Sequence, residues 1–282
     1  MKLLLGVAAA MAGLGMTSHA ACLSDVDAAA LVANYMARKP AANPEGLSAA
    51  DGECTRTKVN RFLEQQLGKP VGYKAGLTNP AVQKRFNHDS PVWGVLYAPM
   101  LLKNGASVDA AFGARPLFEA DMLVRVSDAA INKARTPQEV LKHIDQVIPF
   151  IELPDLMVEA PPKLNGAAIN AINVGARLGV LGDPIPVQRS AAFGDALRDF
   201  QAVVKGGGAE IDRGKGSDVL GHPLNAVVWL VQDMAREGRA LKKGDLVSLG
   251  SFSKLLPPKP GLAVEVTYQG LPGNPTVAVN FK

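Results

Sequence analysis

The chain has 282 residues, 48% of them hydrophobic and 20% charged, with a formal net charge of +4. That length supports a sizeable core, as one large domain or one domain with a small lobe. The positive charge is mild and unclustered: the Lys242-Lys243 and Arg213 to Lys215 groups are short and lack interleaved aromatics, which argues against a nucleic-acid partner.

In chain order, residues 1–20 come first. Lys2, the apolar run Leu3 to Met16, and the small residues Ser18 and Ala20 describe a secretory signal peptide cleaved after Ala20. The run is too short to span a bilayer, so the expected address is the periplasm, with no membrane partner. The two cysteines, Cys22 and Cys54, follow at once. In an oxidising compartment such a pair reads as a disulfide. Residues 21–69 read as an N-terminal helical arm. One helix runs over Val26 to Arg38 with Leu31, Val32, Tyr35 and Met36 at helical spacing, and a second over Lys58 to Leu67. The arm carries no site signal of its own.

From residue 70 to 282 the chain reads as one main domain of short strands punctuated by Gly and Pro. Val71 to Thr78 is strand-like, with Lys74 between Gly72 and Gly76. A lysine so placed is either an edge-strand surface residue or a confined base or electrostatic partner. Ser90 to Tyr97 is a further strand candidate. Next, Arg115 to Val124 alternates as a strand does, which sends Glu119 and Asp121 to the same face among Leu117 and Leu123. Two carboxylates so close need either solvent or a cation. Glu152 stands in Val147 to Pro154, a run otherwise without polar side chains. Three carboxylates without His or Cys would form an all-oxygen site suited to Mg²⁺ or Mn²⁺. The alternative for Glu119 and Asp121 is a solvated or salt-bridged sheet face.

Thr136 to Val147 reads as a helix delivering the chain to Glu152. Ala168 to Leu181, small and apolar, reads as a buried strand, and its Asn173 as a structural bracket or a ligand contact. Phe200 to Asp212 forms a hairpin. Gly214 to Pro223 leads into an amphipathic helix through Arg236, ended by Gly238. Strands at Asp245 to Ser251, Ala263 to Tyr268 and Thr276 to Phe281 close the chain. Few long βαβ alternations appear, so the expected class is α+β, mixed and mostly antiparallel, with the helical arm at its N-terminus.

Four segments together resemble the 2-oxopent-4-enoate hydratase and 4-oxalocrotonate decarboxylase family, within the fumarylacetoacetate hydrolase superfamily: Gly72 to Thr78, Phe118 to Asp121, Ile151-Glu152, and Gly214 to Leu230. The resemblance implies a β-rich fumarylacetoacetate-hydrolase-like fold over 70–282. It implies metal ligands at Glu119, Asp121 and Glu152, an active-site lysine at Lys74, and substrate contacts at Asn173 and Leu77. It further implies a small carboxylic acid as substrate and a homo-oligomer. Two positions depart from the family pattern. Pro91-Val92-Trp93 stands where family hydratases carry Pro-Asp and an aromatic, and Ile172-Asn173-Val174-Gly175 replaces Asp-Asn-Ala-Ser. The function implied is a metal-dependent lyase, hydratase or decarboxylase, acting on small 2-oxo or 2-hydroxydienoate acids. The second reading is an exported, non-catalytic binder of 2-oxo acids.

Overall fold

The computed structural model describes residues 22–282, so the signal peptide read over 1–20 lies outside the described residues. Two helices open the described chain. The first, α1 (Asp25–Met36), is capped by Ser24, whose hydroxyl accepts the Asp27 amide. The second, α2 (Ala49–Leu67), begins well before Lys58 because Ser48 and Asp51 form a capping box around its first turn. A disulfide joins Cys22 to Cys54, with Cα atoms 5.7 Å apart, and ties the start of the arm to α2.

The remaining elements are β1 (Pro70–Gly76), α3 (Pro80–Arg85), β2 (Val92–Tyr97), β3 (Leu101–Lys103), β4 (Ala106–Val108) and β5 (Glu119–Val126). Then come α4 (Pro137–Lys142), β6 (Ile144–Leu153), α5 (Gly166–Ala171), β7 (Leu178–Leu181), β8 (Ile185–Pro186) and α6 (Ala191–Asp199). The chain ends with β9 (Gln201–Gly206), β10 (Ala209–Lys215), α7 (Leu224–Arg236), β11 (Leu246–Ser248), β12 (Ala263–Gln269) and β13 (Thr276–Phe281).

These strands form two sheets. An eight-stranded sheet runs β2-β1-β11-β5-β6-β7-β3, with β8 on β6, and a five-stranded sheet runs β10-β9-β12-β13-β4. Pairing is mostly antiparallel; β1 with β11, β3 with β7 and β4 with β13 are the parallel exceptions. Aromatic rings seat one sheet against the other: Phe118 meets Phe281 at 5.6 Å, and Phe200, just before β9, lies 4.9 Å from Phe252 beyond β11. The Tyr268 hydroxyl reaches from β12 into the β5–β6 pairing, where it is shared between the Asp121 and Phe150 carbonyls and accepts the Phe150 amide.

Two expectations need correction. The helix expected over Thr136 to Val147 stops at Lys142, and the β-branched Ile144, Val147 and Ile148 belong to β6 instead. The buried strand expected over Ala168 to Leu181 is three pieces. Asn165 caps α5 through the Ala168 amide, a left-handed turn follows at Asn173 to Gly175, and only Leu178–Leu181 is strand. Residues this small carry neither a helical nor a strand period, so tertiary pairing decides their conformation.

Candidate metal centre and its lysine

Strand alternation places Glu119 and Asp121 on one face of β5, and the β5–β6 register sets Glu119 directly opposite Glu152. The three carboxylates each offer an oxygen, and these oxygens lie within 4.8 Å of one another. Glu119 is 8% exposed, Glu152 2% and Asp121 0%, which rules out the solvated-face alternative.

Asp121 is fixed from three sides. Its Oδ2 accepts the Ser248 hydroxyl, and its Oδ1 accepts the amides of Met122 and Gly250, the latter at 3.1 Å. Gly250 has φ +101°, and a Cβ there would sit 2.0 Å from Thr78 Oγ1, so only glycine fits this approach. Glu152 is held on one side only. Its Oε1 accepts the Lys74 amine, while its Oε2 meets no donor among the described residues. Lys74 is itself buried on β1 and donates its other bond to the Val174 carbonyl at 3.0 Å. The confined alternative for this lysine is therefore the one the fold adopts.

Burial, and then the Glu152 charge, raise the Glu119 carboxyl well above the usual carboxylate range. The same two causes push Asp121 up to about 7. One lysine cannot balance three carboxylates, and an uncompensated buried charge is strongly unfavourable. A divalent cation would remove the excess and give Glu152 Oε2 the partner it lacks, and an all-oxygen donor set fits a hard ion. A second carboxylate group, Glu53, Asp233 and Glu237, is only half-buried and already paired with Arg56 and Arg236.

A cavity of about 540 Å³ opens onto Lys74 and Glu119, with apolar walls from Leu77, Phe86, Ile169 and Val174. Asp212 and Asp218 also line it, held by Lys254 and by the Lys215 amide. Leu77 is thus placed at the cavity, with φ +53° where β1 ends. Asn173 is placed behind it. Its carboxamide bonds to the Val95 amide and carbonyl and to Asn60 Nδ2, the geometry of the bracket. Val92 is buried beside Val174: a Cβ on Gly76 would lie 2.4 Å from Val174 Cγ1 and 3.7 Å from Val92 Cγ2. Of the two departures from the family pattern, Val92 therefore puts an apolar group beside Gly76, two residues along β1 from Lys74, and Ile172 is a buried apolar residue. Ser248, Gly250 and the arm residues Arg56 and Asn60 were not singled out by the sequence. The first two lie at a strand end with no motif, and the last two look like the solvated face of a helix.

No protein-family model matches the chain. Individual proteins do. It is 31% identical over 204 residues to 2-keto-4-pentenoate hydratase 2 of Dechloromonas aromatica, covering 71% of this chain and 75% of that one. It is 27% identical over 226 residues to the 4-oxalocrotonate decarboxylase of Pseudomonas putida, covering 80% and 83%. Among solved structures, the 4-oxalocrotonate decarboxylase of Pseudomonas putida G7, complexed with magnesium and adipate, superposes with a TM-score of 0.81 at 25% identity, over 93% of this chain and 100% of that one. The superposition bears out the mixed α+β, fumarylacetoacetate-hydrolase-like fold. With this fold, and with a hydratase relative above 30% identity across three quarters of its length, the chain belongs to the 2-keto-4-pentenoate hydratase and 4-oxalocrotonate decarboxylase family of enzymes.

Proposed function

We propose that the chain is a divalent-metal-dependent lyase acting on small 2-oxo or 2-hydroxydienoate acids, with Glu119, Asp121 and Glu152 as ligands for Mg²⁺ or Mn²⁺ and Lys74 as the proton-handling group. The observation that carries the reading is Glu152, buried with one oxygen on Lys74 and the other without a donor among the described residues. A bound ion would supply Lewis acidity toward the 2-oxo and carboxylate oxygens of the acid. Lys74, facing the cavity, would hold or deliver a proton at the reacting carbon chain. Leu77, Phe86 and Ile169 would keep water from that end of the acid.

Val92 and Val174 favour decarboxylation over hydration. Hydration needs a second group to activate water, and the two side chains packed against Gly76, two residues along β1 from Lys74, are apolar. Loss of CO₂ needs none: the electron pair of the breaking C–C bond moves through the conjugated chain to the 2-oxo oxygen, and that oxygen takes up the balancing proton to give the dienol. The binder reading is not favoured, because the relatives are enzymes and the Lys74–Glu152 pair that a reaction would use is in place. The periplasmic address is supported by the Cys22–Cys54 disulfide, and a homo-oligomer by the family resemblance.

The test is an ultraviolet assay of the signal-cleaved protein with Mg²⁺, offered 2-hydroxypenta-2,4-dienoate and 4-oxalocrotonate side by side. Chelator-sensitive loss of 4-oxalocrotonate, absent in Glu152→Gln, is expected. Undiminished activity in Glu152→Gln or in chelator would refute the metal role, and consumption of the pentadienoate alone would refute the preference for decarboxylation.

A further inference from the structure

The carbonyl that takes the second hydrogen bond of Lys74 sits on an unusual backbone. Val174 has φ +54°, between Asn173 at +55° and Gly175 at +65°. A β-branched residue is an outlier in this left-handed region and persists only where its surroundings hold it. The Asn173 carboxamide supplies the hold. Its Oδ1 accepts the Val95 amide at 2.7 Å and Asn60 Nδ2 at 2.9 Å, and its Nδ2 donates to the Val95 carbonyl at 3.0 Å. Strand β2 admits the turn because residue 94 is glycine; a Cβ there would lie 2.5 Å from the Asn173 carbonyl oxygen.

Asn60 is fixed in its turn. Its Nδ2 also donates to the Arg56 carbonyl at 2.9 Å, and its Oδ1 accepts the Tyr97 hydroxyl at 2.9 Å. Asn60, Tyr97, Asn173 and Lys74 are all buried, so water cannot replace a missing partner. The chain of bonds therefore runs without a gap from the N-terminal arm to the lysine.

We propose that Asn60 is a positioning residue: acting through Asn173, it fixes the left-handed turn whose Val174 carbonyl holds the Lys74 amine beside the carboxylate cluster. The kinetic part of this proposal rests on the role given to Lys74 above; the structural part does not.

Two variants of the Mg²⁺-loaded mature chain test it, Asn60→Ala and Tyr97→Phe. The second keeps the ring and frees the Asn60 carboxamide to turn. In Asn60→Ala, exchange of the amides at Val95 and at 174–176 is expected to speed up about ten-fold or more while β5 exchanges as in the wild type. Its kcat is expected to fall about ten- to a hundred-fold, with KM for the acid and the Mg²⁺ dissociation constant within about two-fold. Tyr97→Phe should show smaller changes of the same kind. Unchanged exchange at Val95 and 174–176 would overturn the proposal. So would a general loosening in which β5 exchange, KM, Mg²⁺ affinity and kcat all worsen together. If the wild type turns over no acid, the proposed function falls, and the exchange pattern alone still decides: a local rise supports the positioning role and its absence refutes it.

Discussion

Lys74→Met removes the only cation in contact with Glu152 among the described residues and leaves a side chain of similar length. The lysine and glutamate side chains are 4% and 3% exposed, so solvent cannot take over the stranded carboxylate, whose Oε2 already lacks a donor among the described residues. Breaking a buried ion pair from one side costs about 3–5 kcal/mol. At about 2–4 °C per kcal/mol for a chain of this size, the melting temperature in chelator should drop by about 6–20 °C. Divalent ion should then restore much of the loss, because removing the lysine increases the excess of negative charge that the ion compensates. Ion affinity is thus expected to hold or rise, while turnover falls about 10²- to 10⁴-fold for want of the proton-handling group. Calorimetric melting with and without chelator, Mg²⁺ titration and the ultraviolet assay measure the three quantities. An unchanged melting temperature in chelator, or weaker ion binding by the variant, would refute the view of Lys74 as an internal counter-ion that the metal supplements.

The pH dependence of the metal-free chain follows from Asp121. Its carboxyl is pushed up to about 7 from an ordinary 3.8, so the folded chain holds this proton more tightly than the unfolded one. That contribution to stability is complete below about pH 4 and is lost as pH rises through about 7, so melting temperature in chelator should fall, and ion affinity rise, across that window. Flat profiles for both would contradict it. Reducing the Cys22–Cys54 disulfide, which closes a separation of 32 residues, should cost about 3–4 kcal/mol in the chain-entropy model. Mg²⁺ binding should survive the reduction, because the disulfide lies outside the carboxylate cluster, and its loss in a titration would show that the disulfide does more than restrain the arm. Tyr268→Phe strips a hydroxyl from the buried Phe150 amide and should cost about 1–3 kcal/mol by denaturant unfolding. A neutral result would mean that β5 and β6 close on each other without it.

The three carboxylates were legible individually, for different reasons. Glu119 and Asp121 follow from the period of two along one strand, and Glu152 from its isolation in an apolar run. That Glu152 faces Glu119 is a matter of register between strands, which no local spacing encodes. The start of α2 carried a readable signal in Ser48 and Asp51, whereas α5 and its turn did not, because alanine and glycine fit either period. The positions hardest to read were Arg56 and Asn60. On a helix, polar residues resemble a solvated face, and only the docking of α2 against α5 and β2 reveals that they are buried, bonded to Trp93, Asn170 and Asn173.

The hydroxyl of Tyr268 sets an order on biosynthesis. It sits in the rung between Asp121 and Phe150, yet it is carried by β12, far downstream of both β5 and β6. When β5 and β6 leave the ribosome, all three carboxylates exist but the strand pairing that presents them lacks its last hydrogen-bonding group. The carboxylate cluster is therefore finished only once β12 has been made, well after the strands that carry it.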